Sequence, residues 1–156
     1  MVVLAHLGNF INQFIAMNEH QIYYRSVKPS RKKIFLIEDD FELADFMRLF
    51  FENIRVSYQI INRTDDVLPL IAGFKPDLVI LDYLLPEING GELCAQIKKN
   101  SSTSSLPVLI YSAYPKVLCS LGDYGCDAFL AKPFDLTELE KIIQNLAGTT
   151  LSLEAD

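Results

Sequence analysis

The core of this chain lacks histidine, and the chain lacks paired cysteines, a broad basic patch and a long apolar span; each absence removes a class of function. Both histidines, His6 and His20, lie near the N-terminus, so no imidazole-based catalytic or metal site belongs to the rest of the chain. Three cysteines, Cys94, Cys119 and Cys126, are an odd number without metal-like spacing. They read as reduced, semi-buried thiols of a cytoplasmic protein, not as a disulfide framework. The net charge is -6 and the basic residues are scattered apart from Arg31-Lys32-Lys33, which excludes a nucleic-acid footprint. No Lys or Arg precedes Arg25, so the positive start of a signal peptide is missing, and polar residues interrupt the early apolar run too soon for membrane insertion.

What is present fits one domain: 156 residues, half of them hydrophobic, are enough for a real core. The chain is organised around Lys75 to Gly91, KPDLVILDYLLPEINGG. Leu78 to Leu81 is an unbroken apolar run, the signature of a strand buried on both faces, and Asp82 ends it. Pro86 and Asn89-Gly90-Gly91 then read as a turn. Lys33 to Ile37 is a similar strand that runs into Glu38, Asp39 and Asp40. From Asp40, the expected N-cap, Leu43, Phe46, Met47, Phe50 and Phe51 follow the spacing of an amphipathic helix.

Further on, Val56 to Ile61 predicts a strand, and Asp65 to Phe74 a short helix weakened or bent by Pro69. Leu93 to Lys99 predicts a helix, Pro107 to Tyr111 a strand ending at Ser112-Ala113, and Lys116 to Leu121 another short helix. Ala128 to Ala131 is the fifth strand. Asp135 as N-cap, Glu138 in a capping box, Phe134 against Leu139 as a staple, and Gly148 as a stop delimit the last helix. Five alternations of strand and helix with short connections imply right-handed crossovers and a parallel (βα)5 sheet covered on both faces, an α/β doubly wound fold. The domain is expected over 33–147, with 1–32 as an N-terminal extension and 148–156 as a C-terminal tail. Within the extension, Leu4, Leu7, Ile11, Phe14 and Ile15 have helical spacing; either this is an amphipathic helix that packs on the domain or makes a homodimer, or it is a loosely ordered leader ahead of Met17.

In a parallel sheet all carboxyl ends share one edge, so Glu38, Asp39, Asp82, Ser112 and Lys132 converge there. Three carboxylates without imidazole suit a hard cation, Mg²⁺ above others. A carboxylate can itself be a nucleophile and form an aspartyl phosphate, with the cation, an ammonium and a hydroxyl holding the phosphoryl oxygens. Singly, each residue has a plain structural reading as a cap, turn or solvated lysine; together at the correct strand ends they point to one site.

From Lys33 to about Ala147 the pattern resembles the receiver domain of two-component response regulators. The resemblance implies a flavodoxin-like five-stranded sheet with strand order 2-1-3-4-5. It further implies Asp82 as phosphoacceptor; Asp39, Asp82 and the backbone carbonyl of Leu84 as direct Mg²⁺ ligands; and Glu38 acting mainly through water. Pro86 and Gly90 match the loop after the phosphoacceptor, Ser112-Ala113 the switch hydroxyl and its small neighbour, Lys132-Pro133-Phe134 the family's phosphoryl-binding lysine with a cis proline at Pro133, and Phe129 the rotating aromatic. Phosphorylation would then reshape the face made by the core's fourth helix, fifth strand and fifth helix. Implied partners are a sensor histidine kinase or a histidine phosphotransfer protein, and a downstream protein target that the sequence does not name.

Some positions depart from the family. The segment from Ala113 to Lys132 is shorter than usual, with Pro115 where the fourth helix should begin. Leu84 and Tyr114, which flank the phosphorylation site, are bulky and have no carboxylate or amide to orient water, so slow loss of the phosphoryl group is expected. No DNA-binding or catalytic output module is expected within these residues. Two other classes remain: a phosphorylation-independent receiver-like adaptor, and an aspartate-nucleophile phosphatase of haloacid-dehalogenase type, which needs a second Asp where this chain has Leu84. A flavodoxin-type cofactor role lacks a phosphate loop after the first strand.

Overall fold

Apolar runs of about five residues are too short for stable helices and become strands when helices cover both faces. The computed structural model describes residues 22–26, 31–114, 116 and 124–148, with Tyr24 the one described side chain of 22–26. The predicted helix over Leu4 to Ile15, the predicted helix over Lys116 to Leu121 except Lys116 itself, Pro115, Cys119 and the tail from 149 lie outside the described residues. Among the described residues, strand β1 is Ile22–Ser26, β2 Lys33–Ile37, β3 Ser57–Ile61, β4 Leu78–Asp82, β5 Val108–Ser112 and β6 Ala128–Ala131, and the helices are α1 Phe41–Asn53, α2 Leu68–Phe74, α3 Gly90–Lys99 and α4 Leu136–Ala147. Strands β2 to β6 are all parallel, in spatial order β3-β2-β4-β5-β6. Counted along the core this is 2-1-3-4-5, the flavodoxin-like order that the resemblance implied.

Alternate strand residues build two cores. Ile34 and Leu36 join Met47, Phe50 and Phe51 of α1 and Leu139 and Ile143 of α4. Phe35 and Ile37 join Ile71 and Phe74 of α2 and Leu93, Cys94 and Ile97 of α3. The two-residue period of a strand thus assigns neighbouring side chains to opposite layers.

Several expectations need correction. No strand was predicted before Lys33, yet β1 pairs antiparallel with β3, from Ile22 opposite Ile61 to Ser26 opposite Tyr58. Phe46 was assigned to the inner face of α1 but is exposed, and Ala44 takes the buried place. Pro69 does not bend α2, because the helix starts only at Leu68 and Pro69 sits in its first turn, where a missing N–H is harmless. Gly90 and Gly91 belong to α3 instead of a turn, capped by the Asn89 side chain on the Glu92 amide at 3.0 Å. Asp40 caps α1 as predicted, accepting from the Glu42 and Leu43 amides at 2.9 and 3.1 Å. Asp135 caps α4 through the Thr137 amide at 2.6 Å, and Gly148 closes that helix at φ 65°. Among the described residues no helix is long and apolar enough to cross a membrane.

Candidate functional site

The carboxyl edge of the sheet gathers the acids because β2 and β4 are neighbours that stop at the same level. The Glu38 amide still donates to the Ile61 carbonyl of β3 at 3.0 Å, so Glu38 prolongs β2 and its side chain is fully buried. Asp82 is the last residue of β4 and only 6% exposed. Asp39 is exposed. One carboxylate oxygen from each of Glu38, Asp39 and Asp82 lies within 4.8 Å of the others.

Lys132, directly after β6, stands between two of these acids: its Nζ is 3.2 Å from Glu38 Oε2 and 3.3 Å from Asp82 Oδ2. Its backbone amide donates to the Ser112 carbonyl at 2.8 Å, and the Lys132–Pro133 peptide is cis. Ser112 ends β5 fully buried, and its Oγ accepts from the Tyr114 amide at 3.0 Å. Ala113 and Tyr114 are exposed. The Leu84 amide donates to Asp82 Oδ1 at 3.3 Å, while the Leu84 side chain points outward, 48% exposed. Gly90 is required at its place: a Cβ there would strike the Asp82 carbonyl, and its amide donates to the Tyr83 carbonyl at 3.0 Å. The structure therefore brings Glu38, Asp39, Asp82 and Lys132 together, with Ser112 at the neighbouring strand end. Phe129, half-buried opposite Ile110, packs against the second of the two cores.

One participant escaped the sequence reading. The sequence pattern makes Tyr111 only a strand residue, but it is fully buried and its hydroxyl donates to Glu38 Oε2 at 2.6 Å. Its ring lies 4.3 Å beneath Lys132 Nζ and 5.7 Å from the Phe134 ring. The signal was available: a lone hydroxyl in an otherwise aliphatic run must find a partner when buried.

Charge explains the site's tension. Burial pushes the Glu38 carboxyl above the ordinary glutamate value, with Asp82 adding to it, while Tyr111, Lys132 and the Asp40 amide pull the other way. Partial desolvation at the crowded strand end raises Asp39 too, opposed by its own backbone amide. Burial, then the charge of Glu38, keeps the Tyr111 hydroxyl protonated. Three carboxylates against one ammonium leave two negative charges uncompensated. An all-oxygen donor set with this deficit fits a hard divalent cation such as Mg²⁺, which tolerates few protein ligands.

Residues 34–144 match the family profile of the response regulator receiver domain. The chain belongs to that family. The receiver is 34% identical over 125 residues to a probable transcriptional regulator, ycf29, of Pyropia yezoensis, covering 79% of this chain and 56% of that one. It is 38% identical over 111 residues to response regulator ArlR of Staphylococcus saprophyticus, covering 69% and 48%. It thus spans about half the length of these curated relatives. Response regulator TrrA of Thermotoga maritima, solved in complex with Mg(2+)-BeF, superposes with a TM-score of 0.67 at 22% identity over 74% of this receiver and 98% of that chain; at that identity the likeness concerns the fold.

Proposed function

We propose that this receiver takes a phosphoryl group from a phosphohistidine onto Asp82. The donor would be a sensor histidine kinase or a histidine phosphotransfer protein. An Asp82 carboxylate oxygen attacks phosphorus, the N–P bond breaks, and the neutralised imidazole leaves with a proton. The observation that carries this reading is the grouping of Asp82 with two further acids and Lys132 at one sheet edge. Asp39, Asp82 and the Leu84 carbonyl would hold Mg²⁺, with Glu38 acting through water. When bound, Mg²⁺ supplies charge neutralisation for the phosphoryl oxygens; TrrA, which shares this fold, is itself solved in complex with Mg(2+)-BeF. Lys132 moves from Glu38 and Asp82 to a phosphoryl oxygen, and Ser112 exchanges the Tyr114 amide for another. Ala113 leaves room for that approach, and Phe129 fills the space vacated by Ser112.

The reading includes a receiver over 33–147, a cytoplasmic setting and a signal passed by protein contact. Intact mass after incubation with acetyl phosphate tests it. One phosphoryl adduct is expected on the wild type with Mg²⁺, and none without metal or in Asp82→Asn. Folded wild-type protein without an adduct would overturn the phosphoacceptor reading and leave the adaptor. Rapid turnover of an aryl phosphate with no stable adduct would favour the phosphatase instead.

A further inference from the structure

We propose that Tyr111 is a positioning residue for this phosphoryl transfer, holding Glu38 in place when Lys132 leaves it. The inference rests on the reading of Asp82 as phosphoacceptor. Glu38 is fully buried, so bulk water cannot replace a donor lost from its Oε2. Its Oε1 accepts from the Asp40 amide at 2.9 Å; its Oε2 accepts from Lys132 Nζ at 3.2 Å and from the Tyr111 hydroxyl at 2.6 Å. Lys132 is shared with Asp82, and the ammonium must follow the phosphoryl charge once it arrives.

An aliphatic residue at position 111, like Val108, Leu109 and Ile110 before it, would leave Lys132 as the sole side-chain donor described on Glu38 Oε2. Withdrawing it would then orphan a buried carboxylate oxygen, and the lysine would be held back. With Tyr111 present, Glu38 stays satisfied in both states. The tyrosine is itself well fixed, since Phe134 packs on its ring and Lys132 lies over its face. The same short segment, Lys132 to Phe134, thus carries both the lysine that moves and an aromatic that steadies its stand-in.

The test is a double-mutant cycle on the whole chain, reading the acetyl phosphate reaction rate at saturating Mg²⁺ and Mg²⁺ affinity by calorimetry. Tyr111→Phe should slow phosphorylation about tenfold, the scale of one hydrogen bond to a charged group, yet shift Mg²⁺ affinity less than about threefold, because Asp39 and Asp82 are untouched. In a Glu38→Gln background the same change should matter less than about twofold, since no buried charge is left to hold. A wild-type rate in Tyr111→Phe, or an equal loss in both backgrounds, would overturn the inference alone. A wild type that accepts no phosphoryl group would overturn the parent reading and this one with it. Proton spectra of the wild type give a second readout independent of any variant. The Tyr111 hydroxyl proton should persist, slow to exchange, in both unphosphorylated and phosphorylated protein; its loss on phosphorylation would also overturn the inference.

Discussion

Lys132 is only partly shielded, 20% exposed, yet it is the cation against a carboxylate with no exposure at all. Removing it leaves Glu38 charged and buried without its ammonium. Lys132→Ala should therefore lower stability by about 1–3 kcal/mol, less than for a fully buried pair because water reaches the lysine side. The same variant should bind Mg²⁺ more tightly, since a competing positive charge is gone, while losing phosphorylation. Chemical unfolding, calorimetry and intact mass read the three effects, and weaker Mg²⁺ binding would contradict the electrostatic account. A second residue reports on pH. The Tyr58 hydroxyl donates to Glu52 Oε1 at 2.8 Å, and burial together with Glu52 pushes it up to about 12. A folded value above the unfolded one, about 10, means the contribution is complete below pH ~10 and is lost as pH rises toward 12. Urea unfolding from pH 9 to 11 should fall more steeply for wild type than for Tyr58→Phe.

At the scale of elements, α3 and β4 meet at a backbone contact that no side chain can enter. A methyl at Gly90 collides with the Asp82 main chain, whereas the atoms nearest to one at Gly91 are those of the Tyr124 ring. Gly90→Ala should cost about 1–3 kcal/mol by overpacking and slow phosphorylation by displacing Asp82; Gly91→Ala should be milder, because a half-exposed ring can give way. Thermal melts and acetyl phosphate rates on the two variants separate these outcomes. This contact also marks the limit of what the sequence could say. Asn89-Gly90-Gly91 is turn chemistry locally, and only the tertiary approach of β4 shows why a helix tolerates two glycines at its start. Likewise the spacing of α1 named Phe46 as inward, because periodicity orders residues around a helix without revealing where the neighbouring strands end. Asp40, Asp135 and Gly148 were legible because caps act within a few residues of themselves.

At the scale of the molecule, the parallel core is readable since β2, β4 and β5 announce themselves as apolar runs and β3 by its β-branched and aromatic residues. The convergence of Glu38, Asp39, Asp82 and Lys132 followed from topology alone. Tyr111 and β1 were not readable in the same way, for both take their meaning from partners far along the chain: Glu38 in one case, β3 in the other. The rim of the site yields a further expectation for the whole receiver. Leu84 and Tyr114 stand exposed beside Asp82 and Ser112 without a carboxylate or amide to orient water, so the aspartyl phosphate should persist. A half-life of seconds in a dephosphorylation time course would contradict this.

Strand β1 has a practical consequence for anyone who cuts the chain. The family match begins at residue 34, after the strand that covers β3 and whose Tyr24 lies 5.0 Å from the Arg48 guanidinium. A fragment trimmed to that boundary would bare a row of unpaired amides and carbonyls beside Tyr58, Ile60 and Ile61, a template for edge-to-edge joining. Such a fragment should self-associate as its concentration rises in sedimentation runs, while the full chain, with that edge already taken, should not join through it.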